Sequence, residues 1–386
     1  MSRIGIICEY NPLHLGHEKQ LRAVRTAFGA DCEIVCLMSG AYVQRGAPAI
    51  FAPEVRAKAA ILAGADLVLE LPVTYALSSA EGFASGGVAI LSEICDTLCF
   101  GTERLDRASL LVLAEALLSP AFSEHLRDAL STGCSFPAAR QRALERMGLS
   151  SLISVGPNDI LAAEYCKAIL NQEAPLDIFP IPRPGDYHAA VPDSENPSAS
   201  AIRNQIQAES AWLQYVPTSA RECFAQAAVH TLSAGERAVL AKLRTMTEEE
   251  FSQLPFGSEG LWRKLMHAAR SQPTLEAVAA AVKSKRYTRT RIDRMVLCAF
   301  LGISGAMLSA PAPYARVLAF NDRGRRILNA VKGSCNLRNV GEATEEAYWL
   351  LEQRCADLYG LFARDGIEPP GAATRQRIYY QTEAQG

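Results

Sequence analysis

His14 and His17 stand three positions apart around Gly16, directly after an Asn11-Pro12 break. Imidazoles at this spacing lie on one side of a first helical turn and point at the same ligand. A helix N-terminus offers free N–H groups and the positive end of a dipole, which suits a phosphate. Gly16 lets such a group come close to the backbone. Two solvent-facing histidines on an ordinary turn are the plain alternative. The surrounding elements favour the phosphate reading. Ile4, Gly5, Ile6 and Ile7 form an apolar run that reads as a short buried strand. The strand stops at Glu9-Tyr10-Asn11-Pro12, a turn signal. A helical pattern starts at Glu18, with Leu21 and Val24 on one face. Strand, polar turn and helix N-terminus are what an α/β nucleotide site requires.

Further elements must supply the walls of that site. Residues 33–38 read as a second buried strand ending at Ser39-Gly40, and 66–72 as a third, closed by proline. Between them lie a loop with Gln44, Arg45 and Gly46, and a helix from Glu54 that ends before Gly64. A helix capped by Ser78 or Ser79 runs to Leu91, its glycines suited to close packing on a sheet. Thr97–Phe100 reads as a strand ending at Gly101, and 176–181 as another that runs into Arg183, Tyr187 and His188. Residues 106–147 are helical in pattern with a break near Ser131–Gly133. Asn158 or Asp159 reads as the N-cap of the next helix, leaving the other polar residue for a ligand. Ser198-Ala199-Ser200-Ala201-Ile202-Arg203 reads as a capped helix start, where hydroxyls and one arginine can cradle a phosphate. Repeated strand–helix–strand units imply a parallel sheet with ligands at its C-terminal edge.

The chain has 386 residues, 49% of them hydrophobic and 21% charged, which is a globular composition with room for two or three domains. The N-terminal run is too short for a signal peptide, and no stretch reaches the length of a membrane span, so a cytoplasmic protein is expected. The 11 cysteines form no CxxC or Cys/His cluster, which argues against a zinc site and a disulfide framework. No protein metal site and no protein partner are implied.

After about Asn204 strand signals fade and helical patterns take over, with caps at Ser233 and Thr247. The break falls near Gln205–Pro217, giving domains 1–208 and 209–386. The stretch after Gly366 reads as a partly loose tail. Net charge is −2, so any nucleic-acid surface must be local. Lys285, Arg286, Tyr287, Arg289 and Arg291 form a dense basic run with hydroxyls between. Such cations bind phosphates, and Tyr287 could stack on a base. Tyr314–Phe320 reads as aromatic packing.

No nucleophile is paired with a base by order or motif. That suits nucleotidyl transfer, in which positioning and charge stabilisation suffice. An attacking carboxylate or phosphate would meet the α-phosphate of ATP in line, and pyrophosphate would leave against the histidines and the helix dipole, with magnesium sharing the charge. A small-molecule adenylyl- or cytidylyltransferase would need no arginine-dense helical module. A non-catalytic RNA-binding relative would not bind ATP.

His14-Leu15-Gly16-His17 matches the HxGH signature of the nucleotidyltransferase superfamily. Together with EYNPLHLGH, the strings MSGAYVQRGAPAIF, ADLVLELP, FGTE, PNDILAAEY, RPGDYH, SASAIR and KRYTRTRI, in this order, resemble the bacterial tRNA(Met) cytidine acetate ligases across nearly the whole chain. The resemblance implies a Rossmann-like parallel sheet followed by a mainly helical C-terminal domain. It implies ATP and acetate as substrates, acetyl-adenylate as intermediate, and acetyl transfer to the wobble cytidine of elongator tRNA(Met). The implied ATP residues are Ile4 to His17, Gly101, Asn158 and Arg183, and residues 209–386 would contact tRNA. The chain departs from the family at Leu13, Leu15, Thr102 and Ala162, and at Gly156, where a lysine is usual.

Overall fold

The N-terminal apolar run becomes β1 (Arg3–Cys8), an interior strand of an eight-stranded sheet. The computed structural model describes residues 2–153, 156–183, 192–194, 196–344 and 346–382. Tyr187 and His188 lie outside the described residues. The other expected strands form as β2 (Glu33–Ser39), β5 (Leu67–Leu71), β6 (Thr97–Thr102) and β7 (Asp177–Pro182), with a small hairpin of β3 (Tyr42–Val43) and β4 (Ala47–Pro48) after β2. The C-terminal part adds β8 (Ala315–Asn321), β9 (Leu337–Asn339) and β10 (Tyr379–Gln381). The order is β10-β8-β5-β2-β1-β6-β7, with β9 also on β8. β1, β2, β5, β6 and β7 are mutually parallel, and β8 runs antiparallel to β5.

β1 pairs with β2 on one side and β6 on the other, so the order reverses there and a crevice opens at the carboxyl ends. Strands covered on both faces read as near-continuous apolar runs, and every residue of β2 is buried, with Ile34 to Met38 apolar between Glu33 and Ser39. On one face Ile4, Ile6, Cys36 and Met38 pack with Leu21 and Val24 of α1 (Leu15–Phe28) and Ala60 and Ile61 of α2 (Pro53–Leu62). On the other, Ile7, Val35 and Leu37 meet Phe83 and Val88 of the helix Ala80–Leu91 and Ala162 of the helix Pro157–Asn171. A third core is mainly helical, built on Leu243, Phe251, Leu265, Val278, Met295 and Phe362.

Residues 209–386 are mainly helical, but they do not leave the sheet. Tyr314–Phe320, read as packing, supplies most of β8, whose partner β5 is remote in sequence and gives no local signal. The stretch after Gly366 is likewise tied down: Tyr379–Gln381 pairs with Ala319–Asn321, and Tyr380 meets Phe320 at 5.1 Å between ring centroids. The 208 boundary therefore separates two stretches that share one sheet.

Two caps differ from the reading. Gly156, not Asn158 or Asp159, is the N-cap of the Pro157 helix, because Pro157 takes the first helical position. Gly235, not Ser233, precedes the helix Glu236–Thr245. Thr247 makes the expected capping box with Glu250.

Candidate active site

The two histidines are locked together by the start of α1. His14 is the N-cap, and its Nδ1 accepts from Gly16 N at 3.1 Å. His17 Nδ1 accepts from His14 N at 3.2 Å, so the pair forms a reciprocal capping box. The rings stack with centroids 3.7 Å apart. An Nδ1 that accepts a backbone N–H carries no proton, which leaves Nε2–H as the donor on each neutral ring. Burial, followed by the Arg183 and Arg203 guanidinium groups, pushes His14 down to about 3. Burial, His14 and Arg183 also hold His17 well below the usual range. Both rings are thus neutral hydrogen-bond donors.

That neutrality has a pH consequence. As pH falls below the ordinary histidine value of 6.5, the unfolded chain takes up protons that the folded imidazoles refuse. Their contribution to stability is complete above that value and is lost progressively on acidification. NMR of labelled histidine should find the His14 and His17 rings in the Nε2–H form, with resonances that stay still from about pH 8 to about pH 5. A midpoint near the ordinary value would contradict the buried, cation-flanked geometry.

Arg183 and Gly101 are brought together by strand register. Gly101↔Ile181 and Thr102↔Pro182 pair, and Arg183 N donates to Thr102 O at 2.8 Å. A Cβ on Gly101 would fall 2.4 Å from Arg183 Cδ, so the glycine gives the arginine its path across the end of β6. A Cβ on Gly16 would be 3.0 Å from the His14 ring and 3.7 Å from Arg183 Nη2, which places Gly16 between them. Arg203 reaches the same turn, donating to Asn11 O at 2.7 Å and to Ser200 Oγ at 3.0 Å. Ser198 caps that helix through Ala201 N, leaving Ser200 to orient the arginine.

The other expected site residues are engaged with partners within the protein. Glu9 Oε1 accepts from Gln44 N at 2.7 Å, and Asn11 Oδ1 from Ile50 N at 2.7 Å. Tyr10 is 1% exposed, at φ 45°, with its hydroxyl on Cys36 Sγ at 3.4 Å and its ring 4.9 Å from that of His17. Its side chain supports His17 from the core. The side chains of Ile4, Ile6 and Ile7 are core as well. Asn158 Nδ2 donates to Glu103 Oε1 at 2.7 Å, and buried Asp159 accepts from the N–H groups of Glu103 and Arg104. A Cβ on Gly156 would overlap Glu103 Oε2, so the Glu103 carboxylate fills the space beside this helix start.

Arg56 escaped the sequence reading. It is fully buried, and its guanidinium donates to the carbonyls of Phe51 at 2.8 Å, Glu9 at 2.6 Å, Ser39 at 3.0 Å and Gly40. It ties the ends of β1 and β2 to α2. A lone arginine between Val55 and Ala57 on an alanine-rich helix was the available signal.

The basic run lies outside this cluster. Arg286 pairs with Glu259 at 2.7 Å, Arg289 with Glu276 and Asp293 at 2.8 Å each, and Arg291 donates to Phe256 O at 2.7 Å. Tyr287 is 5% exposed, with Arg291 5.2 Å and Lys264 5.6 Å from its ring centroid. Its ring is engaged in packing, contrary to the stacking expectation. Lys285 is exposed, without an ion pair among the described residues. Among the described residues no group of three or more His, Cys, Asp or Glu side chains can hold a metal, and no helix is long and apolar enough to cross a membrane.

The sequence matches the HIGH Nucleotidyl Transferase family over residues 1–369. It is 35% identical over 363 residues to the tRNA(Met) cytidine acetate ligase of Acetivibrio thermocellus, covering 86% of each chain. It is 34% identical over 367 residues to that of Clostridium perfringens, covering 89% of this chain and 90% of the relative. The fold is similar to Thermotoga maritima TmcAL, with a TM-score of 0.89 for an apo form and 0.86 for the form bound with alpha-thio ATP. Identity to each is 26%, over 99% of this chain and 100% of the other. With the reciprocal histidine cap, the Gly101–Arg183 register and these matches in hand, the chain belongs to the HIGH nucleotidyltransferases and, among them, to the tRNA(Met) cytidine acetate ligase family.

Proposed function

We propose that the protein activates acetate with ATP and transfers the acetyl group to the wobble cytidine of elongator tRNA(Met), producing N4-acetylcytidine. In the first step an acetate oxygen bonds to the α-phosphorus of ATP, the bond to the bridging oxygen breaks, and pyrophosphate leaves. In the second, the cytidine N4 amine attacks the acetyl carbonyl, loses one proton and releases AMP. The observation that carries this reading is the neutral His14–His17 pair with Arg183 and Arg203 beside it. Two Nε2–H donors and two guanidinium groups suit the charge that gathers on a departing pyrophosphate. The nucleotide is assigned to Gly101, Asn158 and Arg183, with Ser200 and Arg203 at the triphosphate.

Magnesium bound with the nucleotide would share the charge of the triphosphate. Residues 209–386 are assigned to tRNA, with Lys285, Arg286, Arg289 and Arg291 as phosphate contacts. The paired arginines would exchange carboxylates for phosphates, so their effect should depend on salt. A tRNA substrate fits a cytoplasmic site of action. The test is nucleoside mass spectrometry of bulk tRNA after incubation with the protein, ATP and acetate. N4-acetylcytidine at the wobble position of elongator tRNA(Met) alone is expected. No acetylated cytidine, with ATP still bound, would overturn the reading.

A further inference from the structure

We propose that Arg45 grips an RNA phosphate next to the nucleotide that receives the acetyl group. The proposal rests on the function just given and adds a positioning residue for its second step.

Arg45 sits at the tip of the β3–β4 hairpin. Gly46 N donates to Val43 O at 2.9 Å, and Gly46 has φ +80°, the left-handed residue that closes a three-residue hairpin loop. This tip is pinned from several directions. Gln44 N donates to Glu9 Oε1 at 2.7 Å, Gln44 Nε2 to Ser78 O at 3.5 Å, and Arg294 Nη1 to Gln44 O at 3.3 Å. A Cβ on Gly46 would fall 2.4 Å from Arg294 N, so the glycine lets the hairpin lie directly on the helix Arg289–Leu301. The tip therefore joins the end of β1 to the helix that begins in the basic run.

Arg45 itself is exposed and makes no hydrogen bond, ion pair or ring contact among the described residues. The nearby carboxylates are engaged elsewhere, Glu9 on Gln44 N and Asp293 on Arg289. The neighbouring arginines 289 and 294 are paired or buried. A cation on a pinned loop loses little freedom on binding, and a guanidinium suits a phosphodiester. The topology selects the phosphate. β2 and β6 flank β1 on opposite sides. Gly101 and Arg183 end β6 and β7, whereas the hairpin follows β2. Arg45 thus stands on the β2 side of the end of β1, across β1 from Gly101 and Arg183.

The test compares the full-length protein with Arg45→Ala and Arg45→Lys in two assays. Acetate-dependent ATP–pyrophosphate exchange without RNA should be unchanged within about twofold. Acetyl transfer to tRNA should fall by roughly 10–100-fold in Arg45→Ala, mostly through KM, with the log–log salt slope smaller by about 0.7–0.9. Arg45→Lys should recover the slope and part of the rate. Exchange that falls with transfer would overturn the proposal by making Arg45 an ATP ligand. Unchanged transfer and slope would overturn it, as would equal losses in both variants at the wild-type slope. A wild-type protein without exchange would sink the functional reading instead. Arg45 would then be judged from a salt series of tRNA binding, where an unchanged slope in Arg45→Ala overturns its role.

Discussion

His17→Ala should lower acetate-dependent ATP–pyrophosphate exchange by about 10²–10³-fold, the usual loss when one oriented donor to a developing charge is removed. In the proposed function the imidazole has two jobs on opposite nitrogens. Nδ1 accepts the His14 N–H at 3.2 Å, and that bond leaves Nε2–H for the leaving group. Alanine removes both, so about 1 kcal/mol of helix capping is lost as well. His17→Asn separates the two effects. Its amide oxygen can accept the His14 N–H, so the melting temperature should recover while exchange stays low. Undiminished exchange in either variant would remove His17 from the chemistry.

Arg56→Met should destabilise the protein by about 3–5 kcal/mol, because buried carbonyls are left without donors. For a chain of this size that corresponds to a melting temperature lower by roughly 4–6 °C. The carbonyls involved belong to Phe51, Glu9, Ser39 and Gly40, at the ends of β1 and β2 beside the crevice. ATP binding should therefore weaken together with stability. Lysine cannot replace the arginine, since one ammonium cannot span this fork of acceptors. Calorimetry of unfolding and of ATP binding checks both effects, and a variant unchanged in both would show that the carbonyls find water instead.

The strand–turn–helix at Ile4–His17 was legible because its signals are local. An apolar run, an Asn-Pro break, a glycine between two histidines and a helical period each act within a few residues. The parallel strands β2, β5, β6 and β7 were legible for the same reason, as short apolar runs bounded by glycine or proline. β8 was not, because its partner β5 lies far away in sequence, and β10 was not, because its composition is that of a tail. Glu9, Asn11 and Tyr10 were rightly placed in the turn, but their side chains serve the scaffold. Tyr287 carried a base-stacking signal in its neighbours, yet 5% exposure commits its ring to packing.

Residue order determined which groups reach the carboxyl edge, since each follows a strand or opens a helix. Folding decided what each group does there. Burial and the approach of Arg183 and Arg203 keep the histidines neutral, and the Nδ1 caps set which nitrogen carries the proton. Desolvation and partner choice depend on the three-dimensional neighbours of a group. A one-dimensional pattern carries neither, which is why Arg56 passed unnoticed and Arg45 gained its meaning only from the helix against its hairpin.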